Sequence, residues 1–167
     1  MENGKFKRKD ESDILFYLED IRLYDRVKFI LETNIEPLLF KFLEFKAGFT
    51  ILVLEINEKH ASKTYSFLNK KIRKSDFLIK IFEDKNFYLI IAQDTKSEGA
   101  AQFSNRLIKD LAYILSPDYK IDSSMLKISS IIIEKEYIDA KRLSYEVIKN
   151  IIIMNQSNKM WVKIKRF

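Results

Sequence analysis

Two apolar stretches joined by a short polar turn constrain the fold of this chain more than any other feature of its sequence. Residues 77–82 read FLIKIF and residues 87–91 read FYLII, and both are typical of β-strands. The turn between them contains four polar residues, Glu83, Asp84, Lys85 and Asn86. The pattern therefore predicts a β-hairpin in the middle of the chain.

The hairpin belongs to a longer alternation of predicted strands and helices. We predict strands at residues 49–56, 76–82, 86–92, 126–133 and 160–165, and helices at 60–73, 97–115 and 139–154. The order β, α, β, β, α, β over residues 49–133 is that of a ferredoxin-like split βαβ unit. We therefore expect an α+β fold with a ferredoxin-like βαββαβ core, extended by a C-terminal helix and strand.

The N-terminal residues 13–45 show the spacing of apolar residues that is typical of helices. Ser12 is placed to cap a first helix, and a second helix is predicted at residues 25–32. Pro37 fits the first turn of a continuing helix capped near Asn34, and Gly48 is placed to end it. We predict an N-terminal helical segment at residues 1–47 and one domain at residues 48–167.

The apolar side chains of these N-terminal helices need a surface to pack against. Leucine and phenylalanine residues recur through residues 15–42, and so much apolar surface has to be buried on the core or against another molecule. We expect packing on the core of the protein, with a homodimer contact through the first helix.

The composition excludes several classes of site. The chain has no Cys and a single His, His60, so disulfides, thiolate metal sites, zinc centres and Ser-His-Asp triads are not expected. No apolar run reaches the length of about 20 residues that crosses a bilayer. The basic, polar residues 1–10 do not have the pattern of a signal peptide. We therefore expect a cytoplasmic protein of bacterial type, without membrane insertion.

The net charge of +6, from 30 Lys and Arg against 24 Asp and Glu, indicates an anionic partner. The basic residues concentrate near both ends of the chain and in residues 59–80, around the predicted hairpin. The alternative interpretation is that lysines here only keep the surface solvated.

The hairpin and its surroundings resemble the GGDEF domain of bacterial diguanylate cyclases, over residues 23–162. The sequence Arg73-Lys74-Ser75-Asp76 is similar to the RxxD motif with which that family binds cyclic di-GMP at an inhibitory site. The family signature, an aromatic residue followed by Gly-Gly-Asp/Glu-Glu-Phe, falls on residues 82–87, where only the closing Phe87 is kept. The resemblance implies a nucleotide-cyclase-like fold and a role in cyclic di-GMP signalling.

The same resemblance implies that the catalytic residues have been replaced. The family has a metal-binding Asp at the end of the first strand, here Glu55, and its second metal-binding acid falls on Lys85. An ammonium group at that position repels Mg²⁺. Glu83 and Asp84 stand where the family has paired glycines, which allow a nucleotide to approach the backbone, and Asn86 takes the next position. We therefore expect no diguanylate cyclase activity, no metal and no cofactor.

Arg73 and Asp76 have the chemistry to recognise guanine. An arginine fork bonds to O6 and N7 of guanine or stacks on the ring, and a carboxylate accepts bonds from its N–H groups. Lys70, Lys71 and Lys74 are placed to meet phosphates. In the alternative interpretation Arg73 caps the end of a helix and Asp76 is a solvated residue at the start of a strand.

We therefore predict a catalytically inactive GGDEF-like signalling domain that binds cyclic di-GMP through Arg73 and Asp76 and regulates a protein partner. The alternative from another class is a ligand-free protein–protein interaction module with the same fold. A third hypothesis, an RNA-binding protein similar to the RRM, shares the βαββαβ order. Residues 86–91 lack the glycines that the RRM signature has in its third strand, so we do not expect nucleic-acid binding.

Overall fold

The computed structural model describes residues 6–7, 15–16, 18–82, 85–116, 118, 120–122, 124–159 and 161–167. Two short strands, β1 (Phe6–Lys7) and β2 (Leu15–Phe16), pair with each other and precede a long helix, α1 (Leu18–Phe45). The remaining elements are β3 (Phe49–Ile56), a 3-10 turn (Glu58–His60), α2 (Ala61–Lys71), β4 (Phe77–Phe82), β5 (Lys85–Gln93), α3 (Ser97–Leu115), β6 (Leu126–Ile133), α4 (Ala140–Gln156) and β7 (Trp161–Arg166). From residue 49 onward, every predicted strand and helix is confirmed to within two residues at each end.

Five strands form one mixed sheet in the order β4-β5-β3-β6-β7. The neighbours from β4 to β6 are antiparallel, and β7 joins β6 in parallel. Val53 at the middle of β3 pairs with Leu89 on one side and Ser129 on the other. The α+β class is confirmed, and the order of the first four strands is consistent with a ferredoxin-like core. The helix α4 provides the crossover that a parallel fifth strand requires.

The two faces of the sheet are covered by different pairs of helices. Alternate side chains of a strand point to opposite faces of the sheet. The side chains of the central strand β3 are divided between the two faces in this way. Ile51 and Val53 pack with α1 and α4, whereas Leu52 and Leu54 pack with α2 and α3. Since β3 is covered on both faces, its sequence is an almost unbroken apolar run rather than an alternating one.

The N-terminal helices differ from the prediction. Helix α1 is a single helix of 28 residues with Pro37 inside it, and Leu15 belongs to a strand, so the prediction of helix from residue 13 was wrong there. Ser12 lies outside the described residues. Asn34 does not cap a new helix, since its Nδ2 donates to the Ile30 carbonyl at 2.7 Å within α1. The helix continues through Pro37 because its buried apolar residues, which face the core, extend without a break from Leu23 to Phe42.

Gly48 has a different role from the predicted one. The residue with a left-handed backbone after α1 is Lys46, at φ 53°, and its N–H donates to the Phe42 carbonyl at 2.9 Å. A Cβ atom on Gly48 would lie 2.6 Å from the backbone oxygen of Ile133 on the neighbouring strand. Gly48 is therefore needed for the close approach of β3 and β6, and it does not end the helix.

Strand β4 forms one edge of the five-stranded sheet. Its pairing with β5 becomes irregular between Lys80 and Phe82. Helix α1 reaches this edge, where Arg26 donates from Nε to the carbonyl of Ile81 at 3.1 Å. In the part of the chain that the structure describes, no helix combines the length and the apolar character needed to cross a bilayer.

Candidate functional site

The turn between α2 and β4 places Arg73 and Asp76 beside each other. Helix α2 ends at Lys71, and the N–H of Ile72 donates to the Leu68 carbonyl at 3.0 Å. The chain then folds back, so that the N–H of Asp76 donates to the Arg73 carbonyl at 2.9 Å. This turn brings the carboxylate of Asp76 against the backbone and guanidinium of Arg73.

The carboxylate of Asp76 is almost completely buried, with 3% of the side chain exposed. Its Oδ2 accepts hydrogen bonds from the backbone N–H and the Nε of Arg73, both at 3.2 Å. Its Oδ1 accepts the backbone N–H of Gln93 at 3.1 Å. Asp76 is therefore not the solvated residue of the alternative interpretation. Both of its oxygens bind donors of the protein itself.

The guanidinium of Arg73 links the same turn to the loop between β5 and α3. Its Nη2 donates to the Gln93 carbonyl at 2.6 Å and to Thr95 Oγ1 at 2.8 Å. The carbonyl of Thr95 in turn accepts from the buried hydroxyl of Thr50 on β3 at 2.9 Å. The Arg73 side chain is nevertheless 56% exposed. One side of the guanidinium is thus fixed to the sheet, and the side chain still presents surface to solvent.

A cleft of about 500 Å³ opens beside Arg73, between the α2–β4 turn and the start of α3. Its lining contains four cationic side chains, three acidic ones and an aromatic ring: Lys71, Arg73, Lys96 and Arg106, then Asp76, Asp94 and Glu98, and Phe103 with Thr95 and Gly99. With four cationic groups against three acids, the lining has a net charge of +1, and Asp76 is paired with Arg73.

Two of these cations lie against aromatic rings. The Arg106 guanidinium lies 5.4 Å from the centre of the Phe103 ring, and Lys71 Nζ lies 5.6 Å from that of Phe67. Lys71 also pairs with Asp110 at 3.8 Å. Contacts of this kind restrict long, flexible side chains to one side of the cleft. Arg106 thus covers one face of the Phe103 ring at the cleft.

The predicted ligand residues are only partly brought together. Arg73 and Asp76 line the cleft, whereas Lys70 and Lys74 are exposed and do not. Lys71, named as a further phosphate contact, does line it. Sequence reasoning missed Lys96, Phe103 and Arg106, because the fold brings α3 to the turn from positions more than twenty residues downstream. No local pattern in the sequence marks them.

The residues that were expected to stand at replaced catalytic positions lie elsewhere. Glu55 is on the sheet face covered by α1 and α4, whereas the cleft lies on the side of α2 and α3. Burial raises the pKa of Glu55, and the Lys127 ammonium, 3.9 Å from its Oε2, lowers that pKa by less. Lys85 and Asn86 begin β5, and Glu83 and Asp84 lie outside the described residues.

His60 lies in the 3-10 turn, where its N–H donates to the Asn57 carbonyl at 2.9 Å. Among the residues described, no three acidic or histidine side chains group together in a way that would hold a metal ion. Comparisons of the chain with protein-family models, with curated proteins and with solved structures found no match.

Proposed function

We propose that this protein is a catalytically inactive GGDEF-like signalling domain, which binds cyclic di-GMP in the cleft beside Arg73 and thereby regulates a protein partner. The observation that supports this most is the cleft itself. Arg73 is oriented there by Asp76 and Thr95, and three further cations line the same space of about 500 Å³. The sequence similarity of Arg73–Asp76 to the RxxD motif points to the same ligand.

The chemistry of the cleft fits a cyclic dinucleotide. Such a ligand carries two phosphates and two guanine rings. Lys71, Lys96 and Arg106 supply the charge that phosphates need, and the partly exposed guanidinium of Arg73 offers a flat surface on which a guanine ring can stack. Because Arg73 is already held in place, little side-chain entropy is lost when the ligand binds it.

In this proposal Asp76 acts by orienting Arg73. Its two oxygens accept bonds from Arg73 and Gln93, so it does not need to accept from the base edge as the sequence pattern alone suggested. The absence of cyclase activity rests on Lys85, an ammonium group at the position of a metal-binding acid in the family that the chain resembles.

Isothermal titration calorimetry with cyclic di-GMP tests the proposal. We expect a dissociation constant in the micromolar range, a binding free energy of about −8 kcal/mol. Arg73→Ala and Arg106→Ala should each weaken binding by about ten- to hundred-fold, because each removes a charge-assisted contact. Arg22→Ala is the matched control, since Arg22 opens a second RxxD sequence with Asp25 but lies exposed on α1.

The experiment separates this proposal from the ligand-free alternative. Binding that Arg73→Ala weakens and Arg22→Ala leaves unchanged supports a receptor. If no heat is released at any attainable concentration of cyclic di-GMP, the receptor hypothesis fails and a protein–protein interaction module takes its place. Exposed phenylalanines on α1, Phe29 and Phe40, favour that second function.

A further inference from the structure

Asp94 is an acidic residue in the loop that holds the guanidinium of Arg73. It lies between Gln93, whose carbonyl accepts from Arg73 Nη2 at 2.6 Å, and Thr95, whose Oγ1 accepts from the same nitrogen at 2.8 Å. Asp94 is exposed and lines the cleft. A ligand that contacts Arg73 in the cleft is therefore within reach of the Asp94 carboxylate.

The backbone of Asp94 is fixed in an uncommon conformation. Its φ angle of 51° lies in the left-handed region, which glycine, asparagine and aspartate adopt more readily than other residues do. Both neighbours of Asp94 are bound by Arg73, and the Thr95 carbonyl also accepts from the buried hydroxyl of Thr50 at 2.9 Å. A short side chain on so restrained a backbone loses little entropy when it binds a ligand.

The three acids of the cleft differ in how far the protein itself already uses them. Both oxygens of Asp76 accept hydrogen bonds within the protein, and Glu98 accepts from the side-chain amide of Gln102 at 3.4 Å. None of the ion pairs between described residues includes Asp94. An exposed acid weakens the binding of phosphates by repulsion. Its presence in this cleft suits a ligand that carries N–H donors as well as phosphates.

We propose that Asp94 selects guanine over adenine in this cleft, an inference that rests on the proposed binding of cyclic di-GMP. Guanine has two neighbouring donors on one edge, N1–H and the N2 amino group, and a carboxylate can accept from both. Adenine has an acceptor, N1, in place of the first donor and lacks the second. With the base stacked on the exposed guanidinium of Arg73, the carboxylate of Asp94 binds its edge, the role that the RxxD spacing alone suggested for Asp76.

Isothermal titration calorimetry with cyclic di-GMP and cyclic di-AMP tests this assignment. The wild type should bind cyclic di-GMP about ten- to hundred-fold more tightly than cyclic di-AMP, as expected for one two-bond contact with a base edge. In Asp94→Asn one oxygen of the carboxylate becomes an amide donor, so the ratio of the two dissociation constants should fall to about threefold or less. Asp94→Gly, which adopts the left-handed backbone without strain, should lose the preference as well.

The direction of the change separates recognition of the base from an effect of charge. Removal of a negative charge should by itself strengthen the binding of both dinucleotides, whereas loss of the base contact should weaken the binding of cyclic di-GMP relative to cyclic di-AMP. Glu98→Gln is the matched control, because it removes the same charge from the same cleft. It should keep the wild-type ratio of the two dissociation constants, and circular dichroism should show that all variants are folded.

The outcomes distinguish this assignment from the receptor proposal on which it rests. Equal binding of both dinucleotides by the wild type, or a wild-type ratio in Asp94→Asn, would overturn the assignment and leave the receptor proposal standing. Loss of the preference in Glu98→Gln but not in Asp94→Asn would also overturn it. If neither dinucleotide releases heat, the receptor proposal fails and the assignment fails with it.

Discussion

The buried carboxylate of Asp76 accepts the backbone N–H of Gln93 at 3.1 Å, across the start of β4 and the end of β5. The last backbone pair of this ladder is Phe77 with Ile91, so the side chain continues the pairing of the two strands beyond it. The same carboxylate also holds Arg73. The carboxylate of Asp76 therefore joins β4 and β5 at the end of the hairpin away from its turn, and it also orients Arg73, which lines the cleft.

Asp76→Ala should lower the free energy of unfolding by about 1–3 kcal/mol, because the N–H groups of Gln93 and Arg73 lose a buried acceptor. Urea denaturation measures the change. Asp25→Ala is the control, since Asp25 is the exposed acid of the second RxxD sequence, and its removal should change stability by less than about 0.5 kcal/mol. Equal stabilities for Asp76→Ala and the wild type would show that the carboxylate has no structural role.

Gly48→Ala should destabilise the protein by about 1–3 kcal/mol, because the new methyl group meets the Ile133 oxygen at 2.6 Å and forces β3 and β6 apart. Gly99→Ala is the matched control, since its Cβ would meet only Thr95 Cγ2 at 3.4 Å. Gly99 lies in the first turn of α3, so this second change should be neutral or stabilising by up to about 1 kcal/mol. Thermal unfolding of both variants would reveal the contrast, and a Gly48→Ala variant as stable as Gly99→Ala would contradict it.

Glu55 should make the stability of the protein depend on pH. Burial raises its pKa in the folded state above the ordinary 4.5, so the folded protein binds this proton more tightly than the unfolded chain does. The free energy of unfolding of the wild type, minus that of Glu55→Gln, should therefore fall as pH rises from 4.5 to the folded pKa, and stay constant above it.

Urea titrations of both proteins across this pH range measure that difference. Glu44→Gln, which removes an exposed carboxylate from α1, controls for the loss of one negative charge. A difference that increases with pH would mean that attraction to Lys127 outweighs burial. The geometry argues against this, because Lys127 Nζ donates to the Met154 carbonyl at 2.7 Å and lies 3.9 Å from Glu55.

The purified protein should not convert GTP to cyclic di-GMP with Mg²⁺ or Mn²⁺. The reason is the ammonium of Lys85, which in the proposed resemblance to diguanylate cyclases takes the position of a metal-binding carboxylate. Chromatography of the reaction mixture would detect any product. Product formed by the wild type and lost in Glu55→Ala would show that the predicted loss of catalysis is wrong.

The strands and helices after residue 49 could be predicted because burial imposes its period on the sequence. In α3 and α4, the residues that face the core repeat every three or four positions. Strands β3 and β6 are rich in apolar residues because helices cover both faces of the sheet. The N-terminal part was predicted less well. Pro37 indicated a boundary between helices, but the buried stripe on either side of it keeps α1 continuous.

The candidate site could be predicted only in part, because its hydrogen bonds join distant segments. The position of Arg73 and Asp76, between a predicted helix and the hairpin, singled out the pair, but nothing nearby in the sequence shows that Gln93 and Thr95 bind them. Arg22 and Asp25 repeat the same spacing on a helix surface, where Asp25 remains exposed. The same RxxD spacing thus occurs once with an exposed acid and once with a buried one, and contacts with distant residues account for the difference.

The edge position of β4 has a consequence for the solubility of the protein. An apolar edge strand such as FLIKIF can recruit further strands and lead to aggregation. Here the pairing is irregular between Lys80 and Phe82, and Arg26 of α1 binds the carbonyl of Ile81. A charged side chain and a break in regular pairing are features with which proteins keep sheet edges from growing. Helix α1 therefore occupies a hydrogen-bond acceptor on this sheet edge, which a further strand would need for pairing, in addition to covering the core.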